Sequence, residues 1–202
     1  MIALLDTPQD LEVCQQQIGC EVGQLLSPLT RRRLEPGMVW GCDNGCFASF
    51  HEKTFFSLLS RNEISRNLCK FVCVPDIPGE AQRTLELFGH FSYRLAGWPL
   101  AYVVQNGQEH TPIPWPDIAA IFVGGDDIRD GMGDWKLGPH AVGCIRTAKM
   151  LGKWVHIGRL NTRHRFDYFD NLGADSFDGT GISRYTHMRE ALAAPTLFSE
   201  VG

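Results

Sequence analysis

Eight short apolar runs, rich in β-branched and aromatic residues, recur along the 202-residue chain. They lie at 2–5 (IALL), 21–27 (EVGQLLS), 38–43 (MVWGCD), 69–75 (CKFVCVP), 100–105 (LAYVVQ), 119–123 (AAIFV), 154–158 (WVHIG) and 174–178 (ADSFD). Each reads as a strand. Helical patterns fall between several of them, at 7–18, 51–61, 80–96, 138–151, 162–172 and 183–193. The first opens on Thr7-Pro8, a cap followed by proline at the first helical position. Stretches 28–37 and 107–118 carry too much proline for a full helix. Such alternation predicts an α/β fold: a compact (β/α)8 TIM-like barrel with some crossover helices reduced or missing. Barrels of this kind typically run to about 250 residues, and the missing helices account for the difference. An open doubly wound sheet is the other arrangement, but no G-x-G-x-x-G follows the first strand. No repeat, low-complexity tract or linker interrupts the chain, so one barrel domain over 1–202 is expected.

Composition narrows the function classes. Hydrophobic residues are 44% and charged residues 21%, the balance of a soluble globular protein. No window approaches the length of a membrane span. The opening MIALLDTPQD has no basic segment followed by an apolar core, so no signal peptide is read there and a cytoplasmic location is expected. The seven cysteines are then expected as free thiols. A formal charge of −4 argues against coating nucleic acid by bulk charge but leaves room for a local basic patch.

The strand ends carry the chemistry. Asp43 ends the third run, Asp76 follows the fourth and Gln105 ends the fifth. Gly124 and Gly125 follow the sixth, Arg159 and Asn161 the seventh, and Asp178 ends the eighth. In a barrel these ends share the rim where such enzymes place their sites. Taken singly, an Asp before Gly is a turn former; six consecutive polar or glycine-bearing ends are hard to obtain from packing alone. A guanine-like base would suit them. Asp76 can accept from adjacent N–H donors, while Gln105 or a backbone N–H near Gly125 can meet a carbonyl. That leaves Asp43 and Asp178 for a double displacement at an anomeric carbon.

These residues resemble the queuine tRNA-ribosyltransferase superfamily, and most closely its short branch, often phage-encoded and linked to deazaguanine in DNA. Asp43-Asn44-Gly45 resembles the D-S-G-G segment at the reacting centre. Asp76 resembles the base-recognition aspartate, VVQNG at Gln105 the Q-G segment, VGGDD at Gly124 and Gly125 the G-G segment, and DSFDGTG at Asp178 the nucleophile segment. The resemblance covers about residues 40–181. It implies a glycosyltransferase that replaces guanine by a 7-deazaguanine of the preQ0 or preQ1 type in nucleic acid, most readily DNA, through a covalent Asp178–sugar intermediate. Asp43 would be the base or electrostatic partner, and Asn44 would join the substrate contacts. The target base would have to be flipped or single-stranded. The implied partners are DNA or tRNA, free guanine and the deazaguanine, with a homodimer or accessory proteins, in the host cytoplasm if phage-encoded. No cofactor is expected. The family's C-terminal zinc pattern is missing, and the C-x3-C pairs at 42/46 and 69/73 read as buried thiols.

Two basic clusters, Arg31-Arg32-Arg33 and Arg159, Arg163 and Arg165 with His164, are candidates for phosphate contacts, with a solvated surface as the bland reading. The five tryptophans are expected mostly as core or loop anchors rather than stacking platforms. Three other readings stay open: a tRNA-guanine transglycosylase, a nucleoside hydrolase, and a barrel that binds a nucleobase without catalysis.

Overall fold

The computed structural model describes residues 1–125 and 134–194. Eight parallel strands close in sequence order into a barrel: β1 (Ile2–Leu5), β2 (Val22–Leu26), β3 (Trp40–Cys42), β4 (Cys69–Cys73), β5 (Leu100–Val104), β6 (Ala120–Val123), β7 (Trp154–Ile157) and β8 (Ser176–Phe177). This is the expected (β/α)8 architecture. The seam is made by Ile2 beside Ser176 and Ala3 beside Phe177. Around it lie α1 (Leu11–Ile18), α2 (Glu52–Arg61), α3 (Ala81–Phe91), α4 (Pro139–Met150), α5 (Arg163–Asn171), α6 (Thr180–Arg184) and α7 (Thr186–Ala193). No α-helix connects β2 to β3 or β5 to β6, where the prolines predicted none; the second connection holds only short 3-10 turns. Among the described residues no helix is long and apolar enough to cross a membrane.

Three helix boundaries differ from the sequence reading. The first helix starts at Leu11 rather than beside Thr7-Pro8, because Asp10 is the better cap: its carboxylate accepts from the N–H groups of Glu12 (2.8 Å) and Val13 (3.3 Å). The helix read over 80–96 stops at Phe91 and tightens into a 3-10 turn over Ser92–Leu95. The helix read over 183–193 is two helices, parted at Tyr185, whose extended backbone (φ −121°, ψ 122°) cannot continue an α-helix.

Alternation along each strand sorts residues into two apolar layers. Outward-facing Tyr102, Val104, Ile121, Val123, Val155, Ile157 and Phe177 pack under the helices. Phe177 meets the Phe166 ring edge-on at 5.4 Å. Inward-facing Leu4, Phe71, Cys73, Ala101, Val103 and Ala120 fill the barrel, with Phe122 and Trp154 against them. The fit relies on glycine opposite phenylalanine. A Cβ on Gly41 would stand 2.5 Å from the Phe71 ring, and one on Gly158 would stand 2.6 Å from Phe122.

Helices α1 and α7 are latched together on the outside. Arg189 of α7 is fully buried, and among the described residues no carboxylate pairs with it. Its guanidinium instead donates to the side chains of Gln17 (2.6 Å), Gln9 and Thr186 (3.1 Å) and to the Ile182 carbonyl (2.7 Å). The fork geometry of arginine suits this dispersed set of acceptors.

Candidate active site

A pocket of about 900 Å3 opens at the C-terminal ends of the strands. It gathers Asp43, Asn44, Asp76, Gln105, Gly124, Gly125 and Asp178, together with Asp6 and Ser27 beyond β1 and β2. The rim inferred from the strand ends therefore exists as one cavity. No tryptophan lines it.

Asp43 and Asn44 are set by the turn after β3. The Asp43 N–H donates to Leu26 O (2.8 Å), and its carboxylate accepts from the Gly45 N–H at 2.6 Å. Gly45 holds φ 76°, which a turn this tight requires. Burial pushes the Asp43 carboxyl above the ordinary carboxylate range; the Gly45 hydrogen bond opposes that rise, and the charge on Asp178 adds to it. Asn44, 4% exposed, bridges to the end of β4: its amide donates to Val74 O (2.9 Å) and to Asp76 (2.8 Å). Burial lifts Asp76 to about 6, against the lowering effect of Asn44.

Gln105 serves the scaffold. It is 3% exposed, its oxygen accepts from Gly79 N–H (2.8 Å), and its amide donates to Ile77 O (3.0 Å) and Thr84 Oγ1 (2.8 Å). Both amide hydrogens are thus committed, one to the β4–α3 loop and one to α3, so the expected donation to a ligand carbonyl has no hydrogen left to make it.

Asp178 receives hydrogen bonds on both oxygens. His156 Nε2 lies 2.9 Å from one, and the Arg159 backbone N–H donates to the other at 3.1 Å. The neighbouring glycines serve close packing of the backbone. A Cβ on Gly179 would stand 2.3 Å from Leu160 O, and one on Gly181 would press on Met188 and Asn161. They let the β7–α5 loop close over β8, where Asn161 accepts from Gly181 N–H (2.9 Å).

Arg159 is the one non-glycine residue with positive φ (58°) among those described. Its backbone turn serves Asp178, its guanidinium donates to Gly125 O (3.2 Å), and it lies 4.5 Å from the centre of the exposed Phe47 ring. The buried Lys136 ammonium supports this loop by donating to Gly158 O (2.8 Å).

The basic clusters do not form a row of open cations. Arg32 pairs with Asp6 at 2.7 Å, Arg163 with Asp167 at 2.8 Å, and Arg165 with Asp134. Arg31 and Arg33 are exposed. Among the described residues no three His, Cys, Asp or Glu side chains are grouped as a metal site. Cys42, Cys46, Cys69 and Cys73 are free thiols, and burial raises all four above the usual thiol range.

Sequence reasoning passed over His156, Ser176, Phe47 and Lys136. A signal existed for two of them. In WVHIG a histidine alternates with Trp154 and Gly158, and in DSFD Ser176 alternates with Asp178. Period two puts each polar pair on one strand face.

No family model matches the chain, and no curated protein does. Among solved structures the chain is similar to the crystal structure of phosphoribosyl anthranilate isomerase from Thermus thermophilus. Identity is 16%, the TM-score is 0.47, and the match covers 95% of this chain and 96% of that one. The comparison corrects the expected kinship: the barrel found is an isomerase of another family, not a queuine tRNA-ribosyltransferase. The expected guanine/7-deazaguanine exchange, the glycosyltransferase class and the link to phage DNA modification are withdrawn with it.

Proposed function

We propose that the chain is an enzyme of general acid–base catalysis, moving a proton within a small molecule held in the mouth pocket. One observation carries the reading: two carboxylates facing one cavity have opposite surroundings. Asp178 has a hydrogen-bond partner at each oxygen, His156 Nε2 at one and the Arg159 N–H at the other, an arrangement that suits a carboxylate acting as base. Asp43 is half-buried, faces the charge of Asp178 and has its acidity weakened, the arrangement that suits an acid. Two carboxylates in one cavity with unlike surroundings can divide acid and base roles in this way. Asp178 would take a proton from one position of the substrate while Asp43 supplies one to another, as in an isomerisation or elimination.

The lining favours a substrate rich in N–H or O–H donors. Among the described residues, five carboxylates, on Asp6, Asp43, Asp76, Glu80 and Asp178, line the pocket with two guanidiniums, on Arg159 and Arg184. Barrels of this architecture often grip phosphate in the loops after the last two strands. Here the N–H groups of Gly181 and Ile182 are already held by Asn161.

The test needs no prior substrate. The purified chain is incubated with a small-molecule cell extract in D2O, and products are read by mass spectrometry. A compound that gains deuterium or changes isomer with the wild type, and not with Asp178→Asn, supports the reading. Identical spectra from the two proteins would end it.

A further inference from the structure

A hydrogen-bonded chain runs through the inside of the barrel beneath Asp178. Trp154 Nε1 donates to Ser176 Oγ (2.8 Å), Ser176 Oγ lies 2.9 Å from His156 Nδ1, and His156 Nε2 lies 2.9 Å from Asp178 Oδ2. Ser176 and His156 are both 0% exposed. The Phe71 and Phe122 rings stand 4.6 and 4.7 Å from the imidazole and hold its plane. From these contacts we infer that Trp154 and Ser176 are positioning residues: through His156 they fix Asp178 as a hydrogen-bond acceptor aimed into the pocket.

The argument is an inventory of hydrogens. Indole nitrogen can only donate, so Ser176 Oγ must accept from Trp154. The serine has one hydrogen left, and its remaining neighbour is His156 Nδ1. If serine donates there, Nδ1 is an acceptor, the ring hydrogen sits on Nε2, and Nε2–H donates to Asp178. Every group is then satisfied. If the ring hydrogen sat on Nδ1 instead, the serine oxygen would accept twice and its own hydrogen would have no acceptor among the described residues. An orphaned hydroxyl inside a barrel is the costlier state. The indole thus selects the tautomer of a histidine it does not touch, and the tautomer decides what Asp178 can be. A proton that Asp178 removes from a substrate has no exit through His156, because Nε2 already bears hydrogen and the Nδ1 lone pair is occupied. It stays on the carboxyl until a substrate position takes it back.

The catalytic consequence rests on the acid–base reading above, but the tautomer does not, so the experiment has two arms. Imidazole nitrogens of the full-length, 15N-labelled protein are observed by long-range 1H–15N correlation, with His156 assigned by its loss in His156→Gln. The expected wild-type pattern is a protonated Nε2 and a bare Nδ1. In Trp154→Phe a water in the place of the indole N–H can accept the serine hydrogen and leave Oγ to accept from the ring, so Nδ1–H should appear; in Ser176→Ala the preference should likewise be lost. Turnover of the compound found with the extract should fall between about tenfold and a hundredfold in both variants, with KM unchanged. A wild-type Nδ1–H signal overturns the inference, even if neither variant folds. Altered tautomers with full turnover also overturn it, leaving the chain as packing. The expected tautomers in a protein with no detectable turnover would instead sink the acid–base reading and leave the hydrogen-bonded lock standing.

Discussion

The eighth strand has an aspartate at each end, and their surroundings are opposite. Asp175, on the N-terminal rim, accepts three hydrogen bonds of 2.7 Å, one at each oxygen from the Lys149 ammonium and one from the Val155 N–H. Its capacity is used up in joining α4 and β7 to β8. Asp178, three positions on, is held by a histidine and a backbone N–H but faces a cavity shared with Asp43. The same side chain on the same strand therefore stabilises at one rim and is set up to react at the other. Parallel barrels have this polarity because all strand ends of one sense share a rim.

The largest test of that contrast is a pair of isosteric changes. Asp178→Asn should lower turnover by roughly a thousandfold, within the range of a lost acid–base group, and leave the urea midpoint close to wild type. Asp175→Asn should leave turnover within about twofold. A reversed pattern, with Asp175→Asn inactive, would dissolve the distinction between the rims.

The next effect is in stability against pH. The folded value of Asp76, about 6, lies above its ordinary 3.8, so folding favours the protonated form. The contribution is complete below about pH 4 and lost as pH rises through 6. The two-unit rise bounds it at about 3 kcal/mol, and Asp43 shifts the same way. Urea unfolding of the wild type should weaken over pH 4–7, and Asp76→Asn should flatten that slope. A wild-type slope of opposite sign would contradict the burial of these top-rim carboxyls.

Bottom-rim effects should be smaller. Asp175→Asn removes the ion pair but keeps an acceptor for Val155, so a loss of about 1–2 kcal/mol is expected in urea unfolding. Smallest is the mouth itself: Phe47→Leu removes a guanidinium–ring contact at an exposed site and should cost under about 1 kcal/mol. A larger loss there would make Phe47 part of the fold's support.

Much of the barrel was legible because buried parallel strands need continuous apolar β-branched runs, and this chain has eight. The rim followed from strand ends alone, which placed Asp43, Asp76 and Asp178 around one cavity. What was not legible depended on partners far apart in sequence. Gln105 looked like a ligand contact, yet its hydrogens go to Ile77 and Thr84. His156 read as one polar residue in an apolar run, and only its closeness to Ser176 and Asp178 gives it meaning. The arginine clusters read as a surface, but carboxylates such as Asp6 and Asp167 claim several of them. The break at Tyr185 was hidden because the helical pattern on either side of it is continuous.

The Arg189 latch bears on the order in which the chain can assemble. Its acceptors on Gln9 and Gln17 lie 180 and 172 positions earlier, and β8, the two-residue strand at the seam, also arrives near the end. During synthesis the first strand and first helix therefore wait, edge open, for β8 and α7. Contacts of such long separation cost loop entropy before they return any stability, which slows folding. The outer latch is thus a closing clasp, and the interval before it shuts is when the nascent β1 edge is most exposed to mispairing.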